Sequence, residues 1–501
     1  MIDSQASHGS QIAKLDSMHS GYNPQHGNHA FTALHARTRE GLVMHDRRGM
    51  LKASMAGLAG LSLPGLLKNH ALANSAGKPS SKGKSVILLW LAGGPSHIDT
   101  WDPKPDRPYE NRGPFGVTST RLPGVQICEH LPKQAAMLDK VSILRSVDCR
   151  GSNHQPNKVM QTGDRTAAPR VNPKGDRIPC FASIIAKEKG ANDKAMPAYV
   201  AFEKHSSHVG YAGYLGRKYN PFLANKACRL PVYTNVGVDT GQMSGADIFA
   251  MPSGLTVDRV HNRRKLVKQF DRMKSGLDIQ GDMEAHDEYG QQAADMLLGR
   301  KAQEAFDITR EPQKMRDLYG DHLWCQQVLI ARRLVEAGVS FVTLDLSYHT
   351  ASGTWDNHGI PGGVYGGITK GLGPLLPLFD HFYTTLITDL EQRGLLDDTL
   401  VIAMGEFGRT PNIGTQESVD GRNHWPVVMS MCLAGGGLRH GQVIGSSERD
   451  GSDIRTRPIT PGDIGATIYK HMGVPLDVTY EDEKGRPNFS IIDGEPLKEL
   501  F

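Results

Sequence analysis

The chain has 501 residues, with 57 Lys plus Arg against 53 Asp plus Glu for a formal charge of +4, and 39% of it is hydrophobic. That length fits one large domain or two ordinary ones with a real core, and the composition excludes wholesale disorder and a polytopic membrane protein. The basic residues form no tract or arm, which excludes a dedicated nucleic-acid binder. Six cysteines stand far apart with no C-x-x-C pair, so a zinc ribbon is excluded and disulfide pairing is unassignable.

In chain order, a polar segment rich in His, Gly and Asn comes first. Arg47-Arg48-Gly49-Met50-Leu51-Lys52 follows and runs into a short, Gly-rich apolar stretch ending near Leu67, with a small-x-small site at Ala71-Leu72-Ala73. A charged region, a weak apolar region and a cleavage site resemble a twin-arginine export signal, which carries folded proteins across a membrane. The apolar stretch is too short and Gly-rich to span a bilayer. An amphipathic N-terminal helix with a chance Arg pair is the weaker reading. Met44 is the more natural start for such a signal, and cleavage after Ala73 leaves 428 of the 501 residues. Residues 1–83 are therefore expected to be an export signal and flexible Gly/Ser/Lys linker, and 84–501 the folded domain, with a periplasmic or otherwise exported location and no membrane span once the signal is removed.

Between Ser85 and Gly93 the chain is continuously apolar before Gly-Gly-Pro, which suits a strand buried on both faces. Similar runs at 141–144, 198–202, 339–344, 399–404 and 427–433 alternate with helical patterns at 257–275, 284–306, 321–337 and 373–393. Gly338 and Gly394 stand where helices commonly stop. The pattern predicts an α/β fold with a mostly parallel central sheet and helices on both faces. Charged helical faces predict a helical insertion or cap within about 205–335, or else a solvated helix pair.

In such a sheet ligands gather beyond the carboxyl ends of strands. The loops there carry His97 and Asp99, Asp356 and His358, Glu406 and Arg409, with His424 just before the last of these strands. Asp and Glu oxygens with neutral imidazoles suit divalent metals, and a metal can hold the oxygens of a phosphate or sulfate ester. For any one residue, a turn-capping Asp or a carbonyl-bonded His is as good a reading as ligation; four loops together favour ligation. Arg409 reads either as an oxyanion clamp or as a partner that fixes Glu406. His205 and His208 read as a rim loop or a chelating pair, and 211–222 as a loop near the site or locally packed aromatics.

The motifs from Val86 to Pro105, Trp355-Asp356-Asn357-His358-Gly359, Gly405 to Pro411 and Asn423-His424-Trp425-Pro426 resemble a large bacterial family of exported proteins in the alkaline phosphatase and sulfatase superfamily. The resemblance runs from about Ser85 to Phe501 and implies an alkaline phosphatase-like sheet with metals at strand ends. It implies metal-ligand roles for Asp356, His358, Glu406 and His424, with His97 and Asp99 near the first-strand ligand. Phe407 stands where the superfamily has a His, which puts a complete second metal site in doubt. Gln161-Thr162-Gly163 is similar to the end of the nucleophile motif, and counting back reaches Gly151-Ser152-Asn153-His154. No Cys-x-Pro-x-Arg is present, so formylglycine chemistry is not expected. Ser152 is read as a direct nucleophile or, with Asn153, as a helix cap. His154 is read as a ligand or a general acid. The expected cofactor is a divalent metal, whether zinc, manganese, iron or calcium. The expected function is exported metal-dependent hydrolysis of a small-molecule or polysaccharide phosphate or sulfate ester; the alternative is a non-catalytic binding protein that keeps the fold.

Overall fold

The computed structural model describes residues 83–154, 158–235, 238–244, 300–347, 355–359, 366–415, 418–481 and 491–501. Residues 1–82, expected to hold an export signal and linker, and the predicted helix 257–275 lie outside them, as does 284–299. Val86 to Trp90 are apolar in succession because their strand, β1 (Ser85–Trp90), is covered on both sides. Ile87 and Leu89 enter one apolar cluster while Val86, Leu88 and Trp90 enter the other. The remaining strands of the sheet are β2 (Val141–Val147), β3 (Tyr199–Phe202), β4 (Phe222–Leu223), β5 (Phe341–Asp345), β6 (Thr399–Met404), β7 (Met429–Gly435) and β8 (Gln442–Ile444). Their order across the sheet is β8-β2-β7-β6-β1-β5-β3-β4.

Every pairing is parallel except the two made by β7, which runs against both β6 and β2. Trp90 is in register with Asp345 on one side and Met404 on the other, so the loops leaving β1, β5 and β6 depart from one level. Because β7 is reversed, the segment that enters it lies at this same edge.

Helices α1 (Phe181–Glu188) and α4 (Pro461–Met472) cover one face through Phe181, Ile185, Ile464 and Tyr469. On the other face, α2 (Leu323–Ala337) and α3 (Gly373–Gln392) bury Trp324, Val328, Phe379 and Phe382. Gly338 follows α2 at φ +112° and Gly394 follows α3 at φ +64°, left-handed positions that a glycine takes without strain. Within 205–335, Phe222–Leu223 joins the sheet and 323–335 belongs to α2. The helices Arg300–Phe306 and Gln313–Tyr319 pack on α2.

Arg332 of α2 is fully buried, with Glu311, Glu336 and Asp389 at 2.8, 2.7 and 2.8 Å. All six cysteines are buried and unpaired. Among the described residues no helix is long and apolar enough to cross a membrane.

Candidate metal centre

Four donors converge at the edge where β1, β5 and β6 end. His154 lies beyond β2, Asp356 and His358 beyond β5, and His424 just before the reversed β7; their donor atoms all lie within 4.8 Å of one another. His154 Nε2 is 3.2 Å from Asp356 Oδ2, and His358 Nε2 is 2.9 Å from Asp356 Oδ1. His424 Nε2 is 2.8 Å from His358 Nε2 and 3.9 Å from Asp356 Oδ1. Ligand atoms on a tetrahedral centre with bonds of about 2.1 Å are about 3.4 Å apart, and these separations straddle that edge length. Three imidazole nitrogens and one carboxylate oxygen thus fit a small divalent ion.

Backbone geometry makes room for this. A side chain at Gly93, at φ +117°, would collide with the amide of Asp356, and one at Gly421 with the carbonyl of His358. Both loops therefore close on the Asp356-Asn357-His358 segment without a Cβ between them.

The charges are set by neighbours. Burial pushes the Asp356 carboxyl up, but the Arg409 guanidinium and hydrogen bonds from His154 and His358 outweigh it and hold Asp356 well below the usual carboxylate range. Burial, then the positive charges of His154 and Arg409, push His424 down to about 2, leaving a neutral ring able to donate a lone pair. For His154 burial acts downward, yet hydrogen bonds to Asp356 and Glu406 prevail and raise its pKa.

Glu406 stands behind His154: its Oε1 lies 3.0 Å from His154 Nδ1 and accepts from Gly93 N at 2.8 Å, while Oε2 has no partner among the described residues. It thereby orients the ring whose other nitrogen faces the cluster. Arg409 pairs with Asp356 Oδ1 at 2.6 Å rather than with Glu406. Its remaining bonds go to the carbonyls of Gly94 at 2.8 Å, Arg422 at 3.1 Å and Gly93, so the buried guanidinium is committed to holding Asp356. Phe407 packs at 4.8 Å from the His154 ring and 4.7 Å from that of His424.

His97 and Asp99 lie apart from the four donors. His97 is fully buried with Nε2 on the Gly451 carbonyl at 2.9 Å, and burial above all pushes it down to about 4. Asp99 is taken up by Arg422 Nε at 2.6 Å and by the Ser96 hydroxyl at 2.5 Å. Ser152 is buried two residues before His154, and its Oγ has no partner among the described residues. Neither Ser152 nor Asn153 caps the helix Val159–Thr162, whose N-cap is Lys158; Asn153 Oδ1 accepts from His154 N at 2.7 Å.

One polar residue at this edge, Asp345, escaped sequence reasoning, and it takes up His208, which was read as part of a rim loop or a chelating pair. Asp345, the last residue of β5, lies 3.0 Å from Nδ1 of buried His208 and accepts from the Ser347 hydroxyl at 2.7 Å. The available signal was a carboxylate ending a mostly apolar strand at the edge where ligands gather.

A family model described as "Protein of unknown function (DUF1501)" matches residues 83–501. The chain belongs to this family. No curated protein matches the DUF1501 chain. Among solved structures, it is similar to Ps i-CgsB in complex with k-i-k-neocarrahexaose at 9% identity and TM-score 0.39, covering 83% of this chain and 75% of that one. It is also similar to the PsFucS1 sulfatase from Pseudoalteromonas sp. at 13% identity and TM-score 0.34, covering 86% and 72%. A glycosaminoglycan-locus 4S-sulfatase structure from Bacteroides thetaiotaomicron matches at 10% identity and TM-score 0.32, covering 81% and 75%.

Proposed function

We propose that this protein is an exported, metal-dependent hydrolase of phosphate or sulfate esters, with its metal held by His154, Asp356, His358 and His424. The observation that carries the reading is the convergence of these four donors from three separate loops within 4.8 Å. Three imidazoles to one carboxylate suit zinc, iron or manganese better than calcium, which takes oxygen ligands throughout. When bound, such a metal supplies Lewis-acid polarisation of an ester oxygen and an acidified hydroxyl or water.

The chain's own groups support that chemistry in stated ways. Glu406 fixes the ring of His154, and Arg409 fixes the carboxylate of Asp356 through the 2.6 Å contact. Ser152, with a buried and unpartnered hydroxyl, is the candidate nucleophile. Export rests on the Arg47-Arg48 signal and the Ala71-Leu72-Ala73 site. A second reading, a binding protein that keeps the fold and one metal, is favoured by Phe407, an apolar ring where the resembling superfamily has a second-site ligand.

Elemental mass spectrometry on the purified protein, beside an Asp356→Asn/His358→Ala double variant, tests the proposal. About one equivalent of transition metal in the parent, lost in a folded variant, followed by turnover in a screen of aryl phosphates and sulfates, supports it. Absence of metal after reconstitution sinks the hydrolase reading; metal without any turnover leaves the binding-protein reading.

A further inference from the structure

At the same sheet edge as the four donors stands an imidazole that the site just described leaves unused. His208 sits in the loop beyond β3, 4% exposed, with Nδ1 turned to Asp345 Oδ2 at 3.0 Å and to the Ser347 hydroxyl at 3.1 Å. Because Nδ1 is spent on the carboxylate, the opposite nitrogen, Nε2, is the free one, and it is buried with no hydrogen-bond partner among the described residues. An unsatisfied buried N–H costs about 1–3 kcal/mol, so Nε2 is a donor that the protein's own described groups leave open to another acceptor.

The location fits. Asp345 is in register with Trp90 of β1, whose other neighbour in that row is Met404, two residues before Glu406. The His208 loop is tied to the segment following His154, since Gln161 Nε2 donates to the His208 carbonyl at 2.5 Å and Lys158 Nζ donates to the Ser206 carbonyl at 3.2 Å. Burial draws the pKa of His208 down, but the hydrogen bond and charge of Asp345 outweigh it, and the charge of Glu406 adds to the rise.

We infer that His208, positioned by Asp345, is the proton donor to the leaving oxygen of the ester substrate; this rests on the hydrolase reading above. In that step the bond from phosphorus or sulfur to the leaving oxygen breaks with its electron pair on that oxygen, which takes the Nε2 proton. A new bond forms to the attacking oxygen of Ser152 or water, whose own proton passes to solvent, and His208 is reprotonated from solvent. General acids of this kind contribute about 10²–10⁴-fold.

The test compares turnover of phenyl and 4-nitrophenyl phosphates, and the matching sulfates, by the full metal-loaded chain and by His208→Gln and Asp345→Asn. Proton donation matters for the basic phenolate and little for the nitrophenolate. The inference predicts a loss of 100-fold or more on phenyl esters, under about 5-fold on nitrophenyl esters, and zinc affinity within twofold of the parent. Equal losses on both leaving groups, no loss on either, or weakened zinc binding would overturn the role of His208 while leaving the hydrolase reading intact. A parent that turns over no ester removes the hydrolase reading, and this inference with it.

Discussion

Replacing Glu406 by Gln tests whether His154 is a ligand oriented from behind. Glu406 Oε1 lies 3.0 Å from His154 Nδ1 and 2.8 Å from Gly93 N, and an amide oxygen of the same reach keeps both contacts but removes the charge. Losing an outer partner of a ligating His costs about 10–100-fold in metal affinity, or about 1.4–2.7 kcal/mol. The change also takes one of two flanking carboxylates from His154, so the raised pKa of that ring falls. Zinc affinity by competition with a chromophoric chelator, on the parent, Glu406→Gln and His154→Ala, reads the effect directly. The expected result is a 10–100-fold loss for Glu406→Gln, a larger one for His154→Ala, and metal-free melting temperatures within a few degrees of the parent for Glu406→Gln. Weakening of less than threefold by Glu406→Gln, with His154→Ala equally mild, would refute the assignment of His154 as a ligand.

Asp99→Asn is expected to lower stability by about 2–4 kcal/mol by weakening the partner of fully buried Arg422, yet to leave zinc affinity unchanged, and denaturant titration beside the chelator assay separates the two. Arg332→Ala removes one partner each from Glu311, which keeps Arg333 at 2.5 Å, and from Asp389, which keeps Arg393 at 2.8 Å, and should cost about 1–3 kcal/mol in urea unfolding; a loss below 1 kcal/mol would show that the network is solvated. Burial above all pushes His97 and His471 down to about 4, so their neutral forms belong to the fold. The stability they permit is complete above an unfolded pKa of about 6.5 and is lost as pH falls toward 4, by up to about 3 kcal/mol each; a urea midpoint constant from pH 7 to pH 4 contradicts this. Zinc binding near pH 6 should release close to one proton, from His154, seen as a dependence of calorimetric heat on buffer ionisation enthalpy; its absence would mean that His154 is not displaced from its proton.

The sheet was readable because a strand covered on both faces is apolar along its length, and Val86 to Trp90 obeys this without interruption. Strand direction was not readable, since a buried antiparallel strand such as β7 carries the same composition as its parallel neighbours. That mattered for His424: preceding a parallel strand it would have stood at the opposite edge, and the reversal of β7 is what brings it to Asp356. The Asp356 and His358 pair could be read from one loop, whereas the fate of Asp99 depended on Arg422, 323 positions away. No local pattern announces such a partner. Glu406 shows the same limit more finely: its loop was legible, but that its carboxylate serves a histidine 252 residues away was a matter of tertiary packing.

The charges of the cluster give the arrangement its direction. Without a cation, Arg409 and a protonated His154 face the carboxylates of Asp356 and Glu406, so the buried group is balanced and the loops can close. A divalent ion that takes the place of the His154 proton adds two positive charges and removes one, which leaves the pocket one unit more positive than before. A buried excess of positive charge is poorly screened and draws anions rather than neutral esters or amides. Since Arg409 already spends its donors on Asp356 and three carbonyls, that attraction has to come from the metal rather than from the guanidinium. The same arithmetic explains why Asp356 has to be clamped so firmly: it is the single carboxylate among the four donors, and any rotation away from His154 and His358 would leave a cation held by neutral rings alone.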